Sequence, residues 1–294
     1  MQNINSFYKY LEFEKRSSVH TLTAYKNDVG QFCDYLEEKE INNWQKVTAK
    51  IIRQWMVEML DQGVSARTVT RKISTLKVLF RFLIREEVLE SNPTDKVTTP
   101  KIPKRLPIFV KETEMDILLD QIDFGEDYSG VRNKTIIDLF YFTGMRLSEL
   151  VELTISQIDF SNEVIKVLGK RNKERIVPVT KELKMALVSY INKRKQTFPE
   201  VKNKVLFLTD KGNPVYQKLV YRVVNRYLSQ VSTVTKKSPH VIRHSFATAL
   251  LNKGADLNAI KELLGHANLA ATEVYTHNSY EKLNSIYKQA HPRA

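Results

Sequence analysis

Several short phrases of the 294-residue sequence hold polar side chains that a packed core would not require. Thr143-Gly144-Met145-Arg146-Leu147-Ser148-Glu149-Leu150 sets a glycine break before an arginine at a helix start. His240-Val241-Ile242-Arg243-His244 puts His240 and Arg243 three apart, on one face of a helix. Leu263-Leu264-Gly265-His266 places a histidine after a helix-ending glycine, and Tyr275 follows nine residues later. Arginine is always charged and grips phosphate through two N–H groups at once. Histidine moves protons, and tyrosine can serve as a covalent nucleophile. Singly, each residue has a plainer explanation: a surface arginine at a helix start, a core or surface aromatic, two ordinary glycine turns. His240 and His244 have a spacing that can bind metal, but the glutamate of a His-Glu-x-x-His site is absent and no third ligand is evident. The single cysteine, Cys33, excludes an internal disulfide framework and zinc sites built on paired cysteines.

These residues sit in a strongly basic chain. Lys and Arg total 46 against 33 acids, for a net charge of +13. Residues 1–100 contain 15 basic and 13 acidic side chains, whereas 101–294 contain 31 and 20, so the surplus lies in the second part. Such an imbalance suits a polyanionic partner, most commonly nucleic acid. A composition of 42% apolar and 27% charged residues is globular. The N-terminus has no basic region followed by an apolar stretch. No apolar run approaches the roughly 18 residues of a membrane span. The expectation is a soluble, cytoplasmic protein.

The elements that must position these groups fall into two parts. Residues 1–90 read as a bundle of about four helices. Its stripes are Phe7/Leu11, Leu22/Tyr25/Val29/Phe32/Leu36, Ile51/Ile52/Trp55/Met56/Met59/Leu60 and Val69/Ile73/Leu76/Phe80/Leu83. Ser18 or Thr21 could cap the second. The basic side chains Arg67, Arg71, Lys72, Lys77 and Arg81 suit a solvated helix face or one resting on phosphates. Residues 91–107 hold four of the nine prolines and no helical period, and so read as an extended linker made basic by Lys101, Lys104 and Arg105. Residues 108–294 are mostly helical, with helices expected over 131–142, 147–154, 181–197, 215–230, 241–252, 256–264 and 279–289. A β-hairpin of Val164–Leu168 and Arg175–Val179 turns through Gly169-Lys170-Arg171-Asn172-Lys173-Glu174, with Val205–Leu208 as a third strand. The fold class is therefore mainly α with a small antiparallel β-sheet.

Taken together, the phrases resemble the tyrosine recombinase (phage integrase) family, closest to its bacterial Xer branch. The order carries the resemblance: the arginine of Thr-Gly-Met-Arg-Leu-Ser-Glu-Leu, a β-hairpin lysine, His-x-x-Arg, Leu-Gly-His, then tyrosine. It covers essentially the whole chain, and Arg171 stands where the branch commonly has glycine. The resemblance implies a two-domain clamp: an N-terminal core-binding helical domain over 1–90 and a catalytic domain over 108–294. It assigns catalysis to Arg146, Lys170, His240, Arg243, His266 and Tyr275, with Lys173 as the rival to Lys170.

Reversible strand cleavage without metal or ATP requires a nucleophile that conserves the phosphodiester energy, and a 3′-phosphotyrosine on Tyr275 does so. Arg146 and Arg243 suit the charge on the non-bridging oxygens, and Lys170 suits protonation of the leaving 5′ oxygen. His240 would accept the tyrosine proton or hydrogen-bond the phosphate, and His266 would donate to a phosphate oxygen. Glu149 would orient Arg146 or His240, or lie on the helix surface. No cofactor is implied.

The implied partners are double-stranded DNA and three further copies in a synaptic tetramer, with a sister recombinase and a DNA-translocating activator as candidates. The last helix, with Tyr280, Leu283, Ile286 and Tyr287 on one side, is expected on the neighbouring protomer, the alternative being its own domain. A chain of this size without an extra arm-binding domain resembles recombinases that resolve chromosome dimers at cell division. Integrases or invertases of mobile elements share the chemistry. A type IB topoisomerase and a non-catalytic DNA-binding protein are the other readings.

Overall fold

The computed structural model describes residues 3–103, 108–169, 174–265 and 285–293. The chain divides into two compact units, residues 1–105 and 106–294.

The first unit contains α1 (Ile4–Lys9), prolonged by a π turn Tyr10–Glu14, then α2 (Val19–Glu38), α3 (Ala49–Asp61) and α4 (Ala66–Arg85). Each long helix starts where a hydroxyl side chain can take up an unpaired N–H. Ser18, Thr48 and Ser65 accept from the backbone N–H of Thr21, Ile51 and Thr68 at 3.3, 3.4 and 3.3 Å. Val29, Phe32, Leu36, Ile52, Trp55, Val69, Leu76 and Phe80 form its core. Lys72 departs from the solvated or phosphate-facing role open to it in the sequence. It is buried, donating to Asp28 Oδ1 (3.0 Å) and Gln31 Oε1 (2.6 Å), and Asp28 also accepts from Thr75 and Arg71. An otherwise uncompensated carboxylate thus ties α2 to α4. Within the stretch read as an extended linker, Pro93–Lys96 forms a 3₁₀ turn, with Asn92 accepting from the Thr94 N–H (2.9 Å). Proline after a capping asparagine favours that turn, and Val97 packs on the bundle core.

The second unit runs α5 (Glu112–Asp120), α6 (Tyr128–Thr143), α7 (Leu147–Glu152), β1 (Ile158–Asp159), β2 (Val164–Leu168), β3 (Glu174–Pro178), α8 (Lys181–Thr197), α9 (Gln217–Val231), α10 (Pro239–Asn252) and α11 (Leu257–Leu264). The sheet is antiparallel in the order β1-β2-β3, with Val164 opposite Pro178 and Leu168 opposite Glu174. Its third strand is Ile158–Asp159, not Val205–Leu208. The latter makes isolated bridges, Thr154 to Val205 and Leu208 to Pro214. Side chains also meet its backbone: the Tyr190 hydroxyl donates to Leu206 O, and Arg132 and Tyr128 donate to Leu208 O. Leu206, Phe207 and Leu208 are all buried, so the segment fills the core on both sides rather than alternating. Helix α5 lies outside the helices expected from the sequence; Glu114 accepts the Lys111 N–H (3.0 Å) at its start, and Met115, Leu118 and Leu119 bury one face.

Residues 285–293 lie on their own domain. Tyr287, Ala290 and His291 are buried against α10 and α11, and the Tyr287 hydroxyl donates to Phe142 O (2.8 Å) at the end of α6. In the single chain the apolar side of residues 285–293 is covered by its own domain, the alternative open in the sequence. Residues 279–284 of that expected helix lie outside the described residues. Arg293 closes the tail by pairing with Asp116, Asp120 and Glu182.

The buried His291 ring stacks on Phe142 and Tyr287, and desolvation, followed by nearby Lys253 and Arg293, outweighs its Tyr141 carbonyl contact and pushes its pKa down to about 4. The unfolded chain, with an ordinary histidine, binds the extra proton between pH 6.5 and 4. Stability present above pH 6.5 is therefore lost as pH falls toward 4, about 3 kcal/mol in all. Thermal melts across this window should show the loss, and His291→Phe should flatten it.

Candidate active site

The turn from α6 to α7 places the first arginine. Gly144 ends α6 in the left-handed region (φ +57°), and its N–H bonds Phe140 O at 3.0 Å. A Cβ at this position would stand 2.5 Å from Phe246 Cδ1 and 2.9 Å from Leu264 Cδ2, so α6, α10 and α11 converge on a spot that admits only glycine. Two residues later Arg146 starts α7. Glu149 Oε2 accepts the Arg146 backbone N–H (2.7 Å), while Glu149 Oε1 accepts from the Arg146 guanidinium (2.7 Å). Glu149 is thus both a helix cap and a counter-ion, and its orienting role falls on Arg146.

Three arginines meet at the C-terminal end of α11. Its last carbonyls lack helical partners and carry the negative end of the helix dipole. Arg175 Nε donates to Leu263 O (2.8 Å), Arg243 Nη2 to Leu264 O (2.7 Å) and Arg146 Nη2 to Gly265 O (2.8 Å). Arg243 Nη1 also donates to Gly144 O. Arg175 closes the arrangement by bonding both Glu149 oxygens, Nη1 to Oε1 at 2.9 Å and Nη2 to Oε2 at 2.8 Å.

The electrostatics follow from this crowding. Burial would raise the Glu149 pKa, but hydrogen bonding and charge from Arg175, joined by Arg146, carry it down to about 2. Arg243 is pushed down to about 9 by burial and by the charges of Arg146 and Arg175, and remains protonated at neutral pH. A second anion near this positive group would relieve that repulsion. His240, one turn before Arg243 on α10, is exposed, and its pKa is lowered by partial desolvation and by Lys236, Arg243, His244 and Arg146. Its ring is neutral near pH 7 and can accept a proton. Arg146 and Arg243 are therefore gathered on one helix end, with His240 beside them. Lys170, its rival Lys173, His266 and Tyr275 lie outside the described residues. Among the described residues no three His, Cys, Asp or Glu side chains form a group that could hold a metal. Sequence reasoning missed Arg175, although a signal was present: it and Val177 are inward positions of a half-buried strand, an unusual place for arginine.

This fold and arginine-lined site coincide with two family matches. The phage integrase family model matches residues 109–282, and its N-terminal SAM-like domain matches residues 4–87. The chain belongs to the phage integrase family, the site-specific tyrosine recombinases that cleave and rejoin DNA. Among particular relatives, it is 37% identical to tyrosine recombinase XerC of Anoxybacillus flavithermus, covering 99% of this chain and 98% of the relative. It is 35% identical to tyrosine recombinase XerD of Staphylococcus haemolyticus, covering 99% of each. The solved structure of XerH site-specific recombinase bound to its difH substrate, before cleavage, superposes with a TM-score of 0.70 at 25% identity, covering 96% of this chain and 84% of that one. DNA is accordingly the substrate class. No helix among the described residues is long and apolar enough to cross a membrane.

Gly144→Ala should cost about 1–3 kcal/mol through overpacking and the unfavourable backbone conformation. It should also displace the carbonyl that Arg243 holds. Urea unfolding and single-turnover DNA cleavage on the same protein check both effects.

Proposed function

We propose that this recombinase resolves chromosome dimers at cell division, in the cytoplasm, with Tyr275 as its nucleophile. The observation that carries the site assignment is the pairing of Arg243 and Arg146 on the consecutive Leu264 and Gly265 carbonyls at the end of α11, immediately before the chain continues into His266. The full-length similarity to XerC and XerD recombinases supports the housekeeping role.

In the proposed reaction Tyr275 Oη attacks a backbone phosphorus, forming the P–O(Tyr) bond as the P–O5′ bond breaks. His240 takes the tyrosine proton, and the Lys170 ammonium gives a proton to the departing 5′ oxygen. Arg146 and Arg243 hold the non-bridging oxygens, to which His266 also donates, and so stabilise charge that peaks in the transition state. The product is a 3′-phosphotyrosine and a free 5′ hydroxyl. Attack by the 5′ hydroxyl of a second strand reverses each transfer and completes exchange. Every atom and proton is returned, so the cycle uses no cofactor.

The organisation proposed for the chain is a DNA clamp: the helical domain 1–90, the basic linker 91–107 and the catalytic domain 108–294. The synapse contains four such protomers, with a sister recombinase supplying some of them and a DNA translocase activating exchange. In that assembly the last helix docks on the neighbouring copy. The contacts of Tyr287 and Ala290 with α10 and α11 support this, because an identical surface exists on every copy and can be exchanged between them.

Covalent trapping with EDTA present, on nicked duplexes spanning the host replication-terminus region, tests the function. Wild type should give a covalent band on one fragment, and Tyr275→Phe should give none while shifting DNA normally in gels. A band confined to mobile-element ends would favour an integrase role instead. Alanine at Arg146 or Arg243 should slow cleavage roughly 10²–10³-fold, as loss of other charge-stabilising donors does. Chains ending at residue 278 should bind single sites but fail to synapse, as read by native gels of paired sites.

A further inference from the structure

We infer that Arg175 is a positioning residue for DNA cleavage, holding Glu149 and the end of α11 in the one register that aligns Arg146 with Arg243. The inference rests on the assignment of those two arginines to the scissile phosphate.

Arg175 cannot itself touch DNA from its observed place. It is 4% exposed, as is the Glu149 side chain that it grips. Its fork spans two partners from different elements, the Glu149 carboxylate of α7 and the Leu263 carbonyl of α11, while its own backbone belongs to β3. Glu149 then shares its Oε1 between Arg175 and Arg146. The two remaining carbonyls at this end of α11 are held by the site arginines themselves. A shift of Arg175 would therefore release both ends of the linkage: Glu149 would lose the partner that fixes its plane, and α11 would lose the anchor that sets its last turn.

Planarity decides why arginine is needed. One guanidinium presents its Nε–H to one acceptor and a parallel pair of N–H groups to a carboxylate, a fork that an ammonium cannot match. Gly265 confirms how closely the side chain is fitted. It ends α11 at φ +66°, and a Cβ there would lie 3.1 Å from Arg175 Cδ and 3.2 Å from Nη1. The Leu-Gly step thus lets the helix end close upon Arg175, just before the segment that carries His266 and Tyr275. Lys170 and Lys173 immediately precede Glu174 in sequence, so the segment that carries the proposed general acid leads directly into the strand that carries this anchor.

Two variants of the full chain test the role. Arg175→Lys keeps the charge but loses the fork; Gly265→Ala keeps the arginine and crowds it. Each should retain its folded circular-dichroism spectrum and the wild-type affinity for a single DNA site in gel shifts. Single-turnover cleavage of a nicked suicide duplex should fall roughly 10–100-fold, the effect of sub-ångström misalignment of reacting groups. Adding Arg175→Lys to Glu149→Gln should cost less than the two single losses combined, because both act through one linkage. Wild-type cleavage by folded Arg175→Lys, a parallel loss of affinity and cleavage, or fully additive losses would overturn the positioning role. Arg146→Ala serves as the reference: if it too cleaves at the wild-type rate, the site assignment itself fails, whereas an impaired Arg146→Ala beside an active Arg175→Lys removes only the role of Arg175.

Discussion

One carboxylate holds the site together. Glu149 is buried with two guanidiniums upon it, and without them its negative charge would be among the most expensive features of the domain. With them it turns mutual repulsion among Arg146, Arg175 and Arg243 into a fixed arrangement. The positive groups do not disperse, because the carboxylate and three successive main-chain carbonyls account for their position. Under the proposed assignment, a phosphodiester entering this place would find guanidiniums already oriented, so little reorganisation would be needed as charge builds on its oxygens.

The elements around the site are arranged to serve that contact. Helix α6 delivers Gly144, whose missing Cβ lets α10 and α11 close upon it and whose carbonyl meets Arg243. Helix α10 brings Arg243 and His240 up one face, and β3 brings Arg175 from the far side. The main apolar core of the second unit supports these placements, and within it the 203–208 segment adds hydrogen bonds to Tyr128, Tyr190, Arg132 and Arg194 to its few main-chain bridges.

Much of this was legible in the sequence for identifiable reasons. The β2–β3 hairpin announced itself through β-branched runs on either side of a basic turn, and α8 and α11 fall on the ranges 181–197 and 256–264 expected to be helical. Arg146, His240 and Arg243 stood out because their order and spacing match a known phrase. Other features depend on tertiary contacts that periodicity does not encode. Leu206-Phe207-Leu208 is an apolar run that reads equally as strand or buried coil, and only the hydroxyls and guanidiniums around it decide. Helix α5 is short and follows a proline-rich stretch, which hid the Met115/Leu118/Leu119 spacing. Glu149 could have been a surface residue until Arg175 was seen opposite it. The amphipathic tail declared an apolar side without declaring whose surface would cover it.

The apolar cluster under residues 285–293 shares side chains with the turn that precedes Arg146. Phe246 and Leu264 touch the docked tail cluster on one side and bracket Gly144 on the other. The packing of the tail therefore bears on the same two side chains that bracket Gly144, whose carbonyl Arg243 holds. Linkage makes such an influence reciprocal: if an anion between the arginines favours one placement of the tail, that placement strengthens hold of the anion by an equal free energy. If the arginine site binds a phosphodiester and the tail docks on a neighbouring copy, as proposed, the packing of one copy's tail would be felt at another copy's phosphate.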